Sequence, residues 1–218
     1  MQNTILDNEL EELKFEIIRM GALIEKAIYD STKSLINGQV DLAQQVIAED
    51  DKIDRLNVDV QDKCLRLLAL RQPLAVDLRT VQGDLQIATD LERMGDCAEK
   101  IAKSTVRLAG KRTITELSCL SQMTEKVREM VASVINAYTT ADIETARVIV
   151  KMEDEIDGLY RQCFDRLVEI IKKEPGKAEM AIQLLFAGHC LERIADHATN
   201  IGESILYMVT GRRTDLND

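Results

Sequence analysis

A fourteen-residue segment occurs twice in this chain, and the two copies lie one hundred residues apart. LERMGDCAEKIAKS begins at Leu91 and LERIADHATNIGES begins at Leu191, and seven of the fourteen aligned residues are identical. A shorter match relates residues 51–56 to residues 154–159. Because copies of one pattern adopt the same local structure, the sequence predicts an internal duplication. Residues 1–110 form the first unit and residues 111–218 the second.

Helices are favoured along the whole chain. Apolar residues recur at steps of three and four, for example between Leu184 and Ile201, as expected for helices that bury one face. Only two of the 218 residues are proline and 3% are aromatic, which disfavours β-sandwiches and barrels. Turn and cap signals, among them a capping box at Thr113–Glu116, separate the helices. The predicted helices are 4–37, 40–70, 75–109, 114–138, 142–172 and 178–210.

Three of these helices fall in each half, and the connections between them are short. Short connections make consecutive helices antiparallel neighbours in a bundle. The predicted fold class is therefore all-α, with two tandem three-helix bundles that pack either end to end or side by side.

The net charge of −10 at pH 7 restricts the classes of partner. Nucleic-acid binding requires a basic stripe, and docking on an anionic membrane requires basic residues, so both are disfavoured. A basic protein partner or bound cations would suit this surface, and a solvated acidic exterior is the alternative. No segment approaches the roughly 18 consecutive apolar residues of a membrane span, and the N-terminus lacks the pattern of a secretory signal. We expect a cytoplasmic protein without membrane insertion.

The five cysteines are odd in number and show no CxxC spacing. We therefore expect reduced, mostly structural thiols, as is usual in the cytoplasm. Cys97 and Cys190 lie beside acidic residues, which should raise the pKa of both thiols and keep them unreactive.

Each half carries two pairs of acidic residues at four-residue spacing, one on its second helix and one on its third. The pairs are Asp50/Asp54 and Glu92/Asp96 in the first half, and Glu153/Asp157 and Glu192/Asp196 in the second. Residues four apart share a helix face, and antiparallel packing could bring the two pairs of a half together. Hard cations take oxygen ligands, so metal binding is one interpretation. Neutralisation by Arg93, Arg193 or nearby lysines is the other.

The histidines add little to this pattern. His189 shares a face with Glu192 and Asp196, but the first half has Thr89 at the matching position, which makes His189 a weak ligand candidate. His197 should point elsewhere. The Glu-x-x-His motif of di-iron oxidases does not occur, and neither does a glycine-rich phosphate loop or a Gly-x-Ser-x-Gly nucleophile motif. The sequence therefore contains none of these catalytic motifs, and its two histidines leave little room for general acid–base catalysis.

RQPLAVDLR at residues 71–79, followed by LERMGD at 91–96 and LERIAD at 191–196, closely resembles the PhoU family of bacterial phosphate-transport regulators. The resemblance covers essentially the whole chain. It implies two tandem three-helix bundles, no enzymatic activity, and negative regulation of the phosphate-starvation response. The implied partners are the nucleotide-binding subunit of the phosphate ABC transporter and the phosphate-sensing histidine kinase, and the implied oligomer is a homodimer.

The resemblance also implies functional residues. Some members of the family carry multinuclear iron or zinc clusters on E/D-x-x-x-D motifs at the bundle surface. Glu92, Asp96, Glu192 and Asp196 are then the best ligand candidates, and Asp50, Asp54, Glu153 and Asp157 are the next. The RQP segment occurs only in the first half, so Arg71, Asp77 and Arg79 are candidates for partner contacts, unless they serve local structure alone.

Two other functions remain open from the residues. The carboxylates could serve a metal-dependent hydrolase or a metal-storage bundle. Alternatively, the chain could be a structural helical adaptor without metal.

Overall fold

The computed structural model describes residues 5–111, 118–213 and 216. These residues form six α-helices and one short 3₁₀ turn, without a β-strand, so the predicted all-α fold class is confirmed. The helices are α1 Ile5–Asn37, α2 Val40–Arg71, α3 Val76–Arg107, α4 Ser118–Thr140, α5 Ile143–Lys173 and α6 Ala178–Thr210, and the 3₁₀ turn is Pro175–Lys177. The predicted capping box at Thr113–Glu116 lies outside the described residues.

Local chemistry explains where two of the helices begin and end. The Asp142 side chain accepts hydrogen bonds from the backbone amides of Glu144 and Thr145, which satisfies free donors in the first turn of α5. Gly211 ends α6 in the left-handed conformation with φ of 71°, and its amide donates to the carbonyl of Tyr207. Glycine adopts this conformation without steric cost.

The two halves lie side by side. α1, α2 and α3 pack together, α4, α5 and α6 pack together, and the halves join where α3 meets α6 and α1 meets α4. α3 and α6 run antiparallel, because Asp90 contacts His197 whereas Cys97 contacts Cys190. This arrangement brings the two copies of the repeated segment into one interface.

The hydrophobic core is continuous across the two halves. Leu91 and Leu191, the equivalent leucines that open the two repeats, are both completely buried in it. Truncation of either to alanine would cost roughly 2–5 kcal/mol of unfolding free energy. The predicted division between residues 110 and 111 falls in the connection between α3 and α4, and stays a prediction.

One expectation about the cysteines is wrong. Cys119 and Cys163 form a disulfide that joins α4 to α5, whereas Cys64, Cys97 and Cys190 are free and buried. The bonded cysteines are 44 residues apart. Only the antiparallel packing of the two helices brings them together, so neither spacing nor the odd number of cysteines indicated the bond.

Candidate metal-binding carboxylate clusters

The packing of α2 against α3 brings the acidic pairs of the first half together. The pKa of Asp50 is raised to about 7, first by burial and then by the neighbouring carboxylates of Asp54, Glu99 and Asp96. The pKa of Glu92 is also raised, first by burial and then by Asp96 and Asp54. We call Asp50, Asp54, Glu92, Asp96 and Glu99 the first cluster.

Gly95 allows Asp50 to approach α3 closely. A side chain built at Gly95 would place its Cβ 3.2 Å from Oδ1 of Asp50. A larger residue there would therefore push the carboxylate outward. Part of the high pKa of Asp50 thus originates in a glycine of the facing helix.

Sequence reasoning missed Glu99 as a member of this cluster. It lies three residues after Asp96 and seven after Glu92, so it belongs to the same face of α3. That spacing already places Glu99 on the acidic face of α3, whereas the E/D-x-x-x-D pattern includes only Glu92 and Asp96.

Lysines form the ion pairs of the first cluster, whereas Arg93 acts on Glu92 through its charge and lowers the pKa of that carboxyl. Nζ of Lys100 lies 2.9 Å from Asp96, and Nζ of Lys103 lies 2.5 Å from Glu99. Arg93 forms no ion pair with any described residue. Both lysine pairs reach solvent, where such pairs are worth less than about 1 kcal/mol. The salt-bridge interpretation therefore holds for these two carboxylates, while Asp50 and Asp54 have no ion-pair partner in the described part of the chain.

The second half repeats the arrangement between α5 and α6. The pKa of Asp157 is raised by burial and by the charge of Glu192, and the pKa of Asp196 is raised by burial and then by Glu192. Burial raises the pKa of Glu153 as well. We call Glu153, Asp157, Glu192 and Asp196 the second cluster. The predicted meeting of the acidic pairs within each half is thus present in the structure.

Threonine and histidine side chains hydrogen-bond to carboxylates of the second cluster, whereas lysines do so in the first. The hydroxyl of Thr199 donates to Oε2 of Glu153 at 2.6 Å, and this contact lowers the pKa of Glu153 against the effect of burial. Nδ1 of His189 lies 2.8 Å from Oε2 of Glu192, as expected for residues on one face. His189 is therefore a hydrogen-bond partner of Glu192, which is itself a candidate metal ligand.

The carboxylate oxygens of the clusters are suitable ligands for a hard cation. All nine members are carboxylates, which hard cations prefer, and most raise one another's pKa by repulsion that a cation would offset. Among the described residues, however, no three acidic, histidine or cysteine side chains are close enough together to hold a metal ion. Metal binding by the predicted ligands therefore stays a prediction.

His197 and Cys97 occupy equivalent places in the interface between α3 and α6. His197 is buried and its Nδ1 lies 3.0 Å from Oδ1 of Asp90, so it points away from the second cluster as predicted. The thiols of Cys97 and Cys190 are in hydrogen-bond contact. That contact lowers the pKa of Cys97 and raises the pKa of Cys190, which burial raises as well. The expected rise is therefore confirmed for Cys190 and wrong for Cys97.

The two arginines of the RQP segment, residues 71–79, connect it to α1 and α6 by hydrogen bonds. Nε and the terminal nitrogen of Arg71 each lie 2.9 Å from the carboxylate of Glu9 on α1. Nε of Arg79 donates to the carbonyl of Met208 at 3.4 Å, which links the start of α3 to the end of α6. Asp77 lies in the first turn of α3, where a negative charge is favourable. Local roles thus account for all three residues, and partner contact stays a prediction.

No helix in the described part of the chain is both long enough and apolar enough to cross a bilayer.

Known proteins match the chain over its length. Two copies of the PhoU domain match residues 17–105 and 120–205. A Clostridium acetobutylicum protein named phosphate-specific transport system accessory protein PhoU homolog is 37% identical over 219 residues, covering 100% of both chains. A protein of the same name from Aquifex aeolicus is 38% identical over 206 residues, 94% of this chain and 93% of that relative.

Two solved structures have the same fold. The phosphate transport system regulatory protein PhoU from Streptococcus pneumoniae superposes with a TM-score of 0.89 at 29% identity, over 96% of this chain and 99% of that one. PhoU from Pseudomonas aeruginosa gives a TM-score of 0.87 at 32% identity, over 94% of this chain and 99% of that one. The motifs, the duplicated domain and the fold agree, and the chain belongs to the PhoU family.

Proposed function

We propose that the protein is a non-enzymatic accessory protein of phosphate transport that negatively regulates the phosphate-starvation response. The observation that supports this proposal most strongly is the match to phosphate-specific transport system accessory proteins along the whole chain. In this proposal a cytoplasmic homodimer contacts the nucleotide-binding subunit of the phosphate ABC transporter and the phosphate-sensing histidine kinase. When phosphate is plentiful, these contacts hold the kinase in its inhibiting state and limit uptake.

The carboxylate clusters would support this docking surface. A bound cation would supply positive charge at the cluster. Glu92 and Asp96 on α3 would hold it in the first half, with Asp50 and Asp54 beside them, and Glu192 and Asp196 would act likewise on α6. The role of these side chains is to bind and to set the surface charge that a partner meets, since a neutralised cluster no longer repels acidic residues of a partner.

The regulatory proposal is tested in cells that lack the protein and carry a phosphate-starvation reporter. In abundant phosphate, deletion should switch the reporter on and the wild-type chain should silence it. A silent reporter after deletion would contradict the proposal. A variant with Glu92→Gln, Asp96→Asn, Glu192→Gln and Asp196→Asn then measures whether the clusters carry the signal.

A matched control separates the clusters from net charge. Glu125→Gln, Glu129→Gln, Asp165→Asn and Glu169→Gln remove four charges from two exposed pairs at the same four-residue spacing on α4 and α5. We expect the control to silence the reporter and the cluster variant to leave it partly active. Equal behaviour of the two variants would assign the effect to bulk charge.

The proposal also states that the protein catalyses no reaction, and this part is tested separately. His197 is buried against Asp90 and His189 is paired with Glu192, so both histidines are already engaged with carboxylates. We expect the zinc-loaded protein to release no product from a chromogenic phosphate ester. Hydrolysis that is lost in the Asp96→Asn and Asp196→Asn double variant would favour the metal-dependent hydrolase instead.

A further inference from the structure

A polar cleft lies between the two halves, and none of the nine cluster carboxylates lines it. It is formed by one face of α3 and the facing side of α6, and Arg213 lies at its edge just after α6 ends. The volume of the cleft is about 260 Å³. The residues that line it and matter below are Gln82, Asp90, Arg93, Asn200, Tyr207 and Arg213. We call it the inter-half cleft.

Asp90 supplies a buried acceptor without a donor. Only 3% of this residue is exposed. Its Oδ1 is engaged by Nδ1 of His197 at 3.0 Å and by Nδ2 of Asn200 at 3.5 Å. Its Oδ2 is buried and has no hydrogen-bond partner among the described residues. A buried carboxylate oxygen without a donor costs free energy, so a ligand that brings a hydroxyl or amino group would be favoured here.

Gln82 adds a second acceptor of the same kind, two helical turns before Asp90 on α3. Its Oε1 is also buried and has no hydrogen-bond partner in the described part of the chain. Gln82 and Asp90 share a helix face, so two unsatisfied oxygens border one cleft. Buried polar atoms in folded proteins nearly always have a partner, which makes two exceptions in one cleft informative.

Two arginines bring positive charge to the same cleft. Arg93 is exposed and forms no ion pair with any described residue. The guanidinium of Arg213 lies 5.5 Å from the ring centre of Tyr207 and likewise has no described acidic partner. Guanidinium groups bind carboxylates and phosphates through paired hydrogen bonds. Glu203 also lines the cleft, but its Oε1 accepts a hydrogen bond from the Leu216 amide at 2.9 Å. In a chain of net charge −10, two arginines without an ion-pair partner among the described residues favour an anion at this opening.

The duplication shows that this lining is not a general property of the fold. Residues 182 and 190, which align with Gln82 and Asp90 in the second half, are isoleucine and cysteine, and Ile182 is 56% exposed. At these two positions the polar acceptors are therefore specific to the first copy, whereas the arginine of the repeat occurs in both copies as Arg93 and Arg193.

We propose that the inter-half cleft binds a small organic anion that also carries hydroxyl or amino groups. The anionic group would lie between Arg93 and Arg213, and the donor groups would reach Oδ2 of Asp90 and Oε1 of Gln82. The site is distinct from the carboxylate clusters and does not depend on the regulatory function proposed above. Because it is built from both halves, its ligand would stabilise their association.

Binding is tested by isothermal titration of the purified full-length protein with four probes. Glucose 6-phosphate and gluconate carry both an anion and hydroxyl groups, and they distinguish a phosphate from a carboxylate. Glucose lacks the anion, and sulfate lacks the donors. We expect one of the first two to bind at least about tenfold more tightly than glucose and sulfate, because only it meets both parts of the cleft.

The affinities of variants then test whether the probe binds in the inter-half cleft. Arg93→Gln should weaken binding at least about tenfold, and Gln82→Leu should weaken it severalfold, since each removes one contact. Arg193→Gln is the matched control, because this arginine occupies the equivalent place in the other repeat and does not line the cleft. Asp90→Asn, with its fold checked by circular dichroism, should weaken binding as well.

Three results would overturn the proposal. They are no binding of glucose 6-phosphate or gluconate at millimolar concentration, equal binding of sulfate and both organic anions, or equal losses in Arg93→Gln and Arg193→Gln.

Discussion

The two carboxylate clusters descend from one repeated pattern, yet they are balanced differently. Position 99 of the first repeat is a glutamate whose charge raises the pKa of Asp50. The equivalent position of the second repeat is Thr199, whose hydroxyl donates to Glu153 at 2.6 Å. One position therefore adds a fifth acid to the first cluster and a neutral donor to the second.

This difference shows how a duplicated site can diverge without losing its framework. Both clusters keep the pairs on facing helices, but the second provides Glu153, the acid on the facing helix α5, with a hydrogen-bond donor. The first retains Asp50 without a hydrogen-bond donor among the described residues. A cation would offset more repulsion there, so we expect the first cluster to bind metal more tightly.

The largest expected effect is on metal affinity. Asp50→Asn with Asp96→Asn should weaken the tighter zinc-binding step about a hundredfold, because two carboxylate ligands are lost where repulsion is greatest. Glu153→Gln with Asp196→Asn should weaken the other step about tenfold. Competitive titration of Zn²⁺ against a fluorescent chelator measures both. A larger loss in the second pair of changes would reverse the ranking of the clusters.

The second-largest expected effect is on the unfolding free energy, through the hydrogen bond from Thr199 to Glu153 in the second cluster. Thr199→Val keeps the shape of a buried side chain but leaves Glu153 without its donor. We expect the metal-free protein to lose about 1.5 kcal/mol of unfolding free energy, the scale of a hydrogen bond to a charged group. Urea denaturation measures this loss. Thr124→Val provides the control, because this buried threonine on α4 donates to the backbone carbonyl of Leu120 and lies outside both clusters. An equal loss there would remove the special role of Thr199.

The pH dependence of stability distinguishes Asp50. Its pKa in the fold is raised from 3.8 to about 7, so between these values the folded state holds a proton that the unfolded state has released. The unfolding free energy should therefore fall as the pH rises from about 4 to about 7. Asp50→Asn should remove about 1 kcal/mol of this fall after allowance for screening by solvent.

Denaturation of the chelator-treated protein at a series of pH values tests this dependence. Asp165→Asn, an exposed acid outside both clusters, is the matched control. An unchanged slope in Asp50→Asn would mean that Asp50 is ionised in the fold like an ordinary surface acid.

The smallest expected effect comes from Glu99. Glu99→Gln removes one repulsive charge but also one exposed ion pair with Lys103, so the metal-free protein should gain only a few tenths of a kcal/mol at pH 7. The gain should shrink at pH 4, where Asp50 is protonated and no longer repels residue 99. Thermal unfolding at both values measures it. A loss of stability at pH 7 would show that the ion pair outweighs the repulsion.

Much of this molecule could be predicted because its signals are local. The periodicity of apolar residues predicted all six helices, and the spacing of four predicted that Glu92 and Asp96 share a face. The contact between Asp90 and His197 joins residues 107 apart, and depends on how α3 packs against α6. The Cys119–Cys163 bond and the donor role of Thr199 depend on packing in the same way. No pattern along the chain indicates which distant side chains will meet.

The interface between α3 and α6 also determines which halves can pair. The two repeats are offset by one hundred residues, so Asp90 is equivalent to Cys190 and Cys97 is equivalent to His197. In each half, the residue at the first of these two positions contacts the residue at the second position of the other half. Such reciprocal contacts characterise a two-fold interface. Two first halves joined in this way would set Asp90 against Cys97 twice, and two second halves would set Cys190 against His197 twice. Only unlike halves give the buried acid its imidazole, so this interface favours heterotypic over homotypic association.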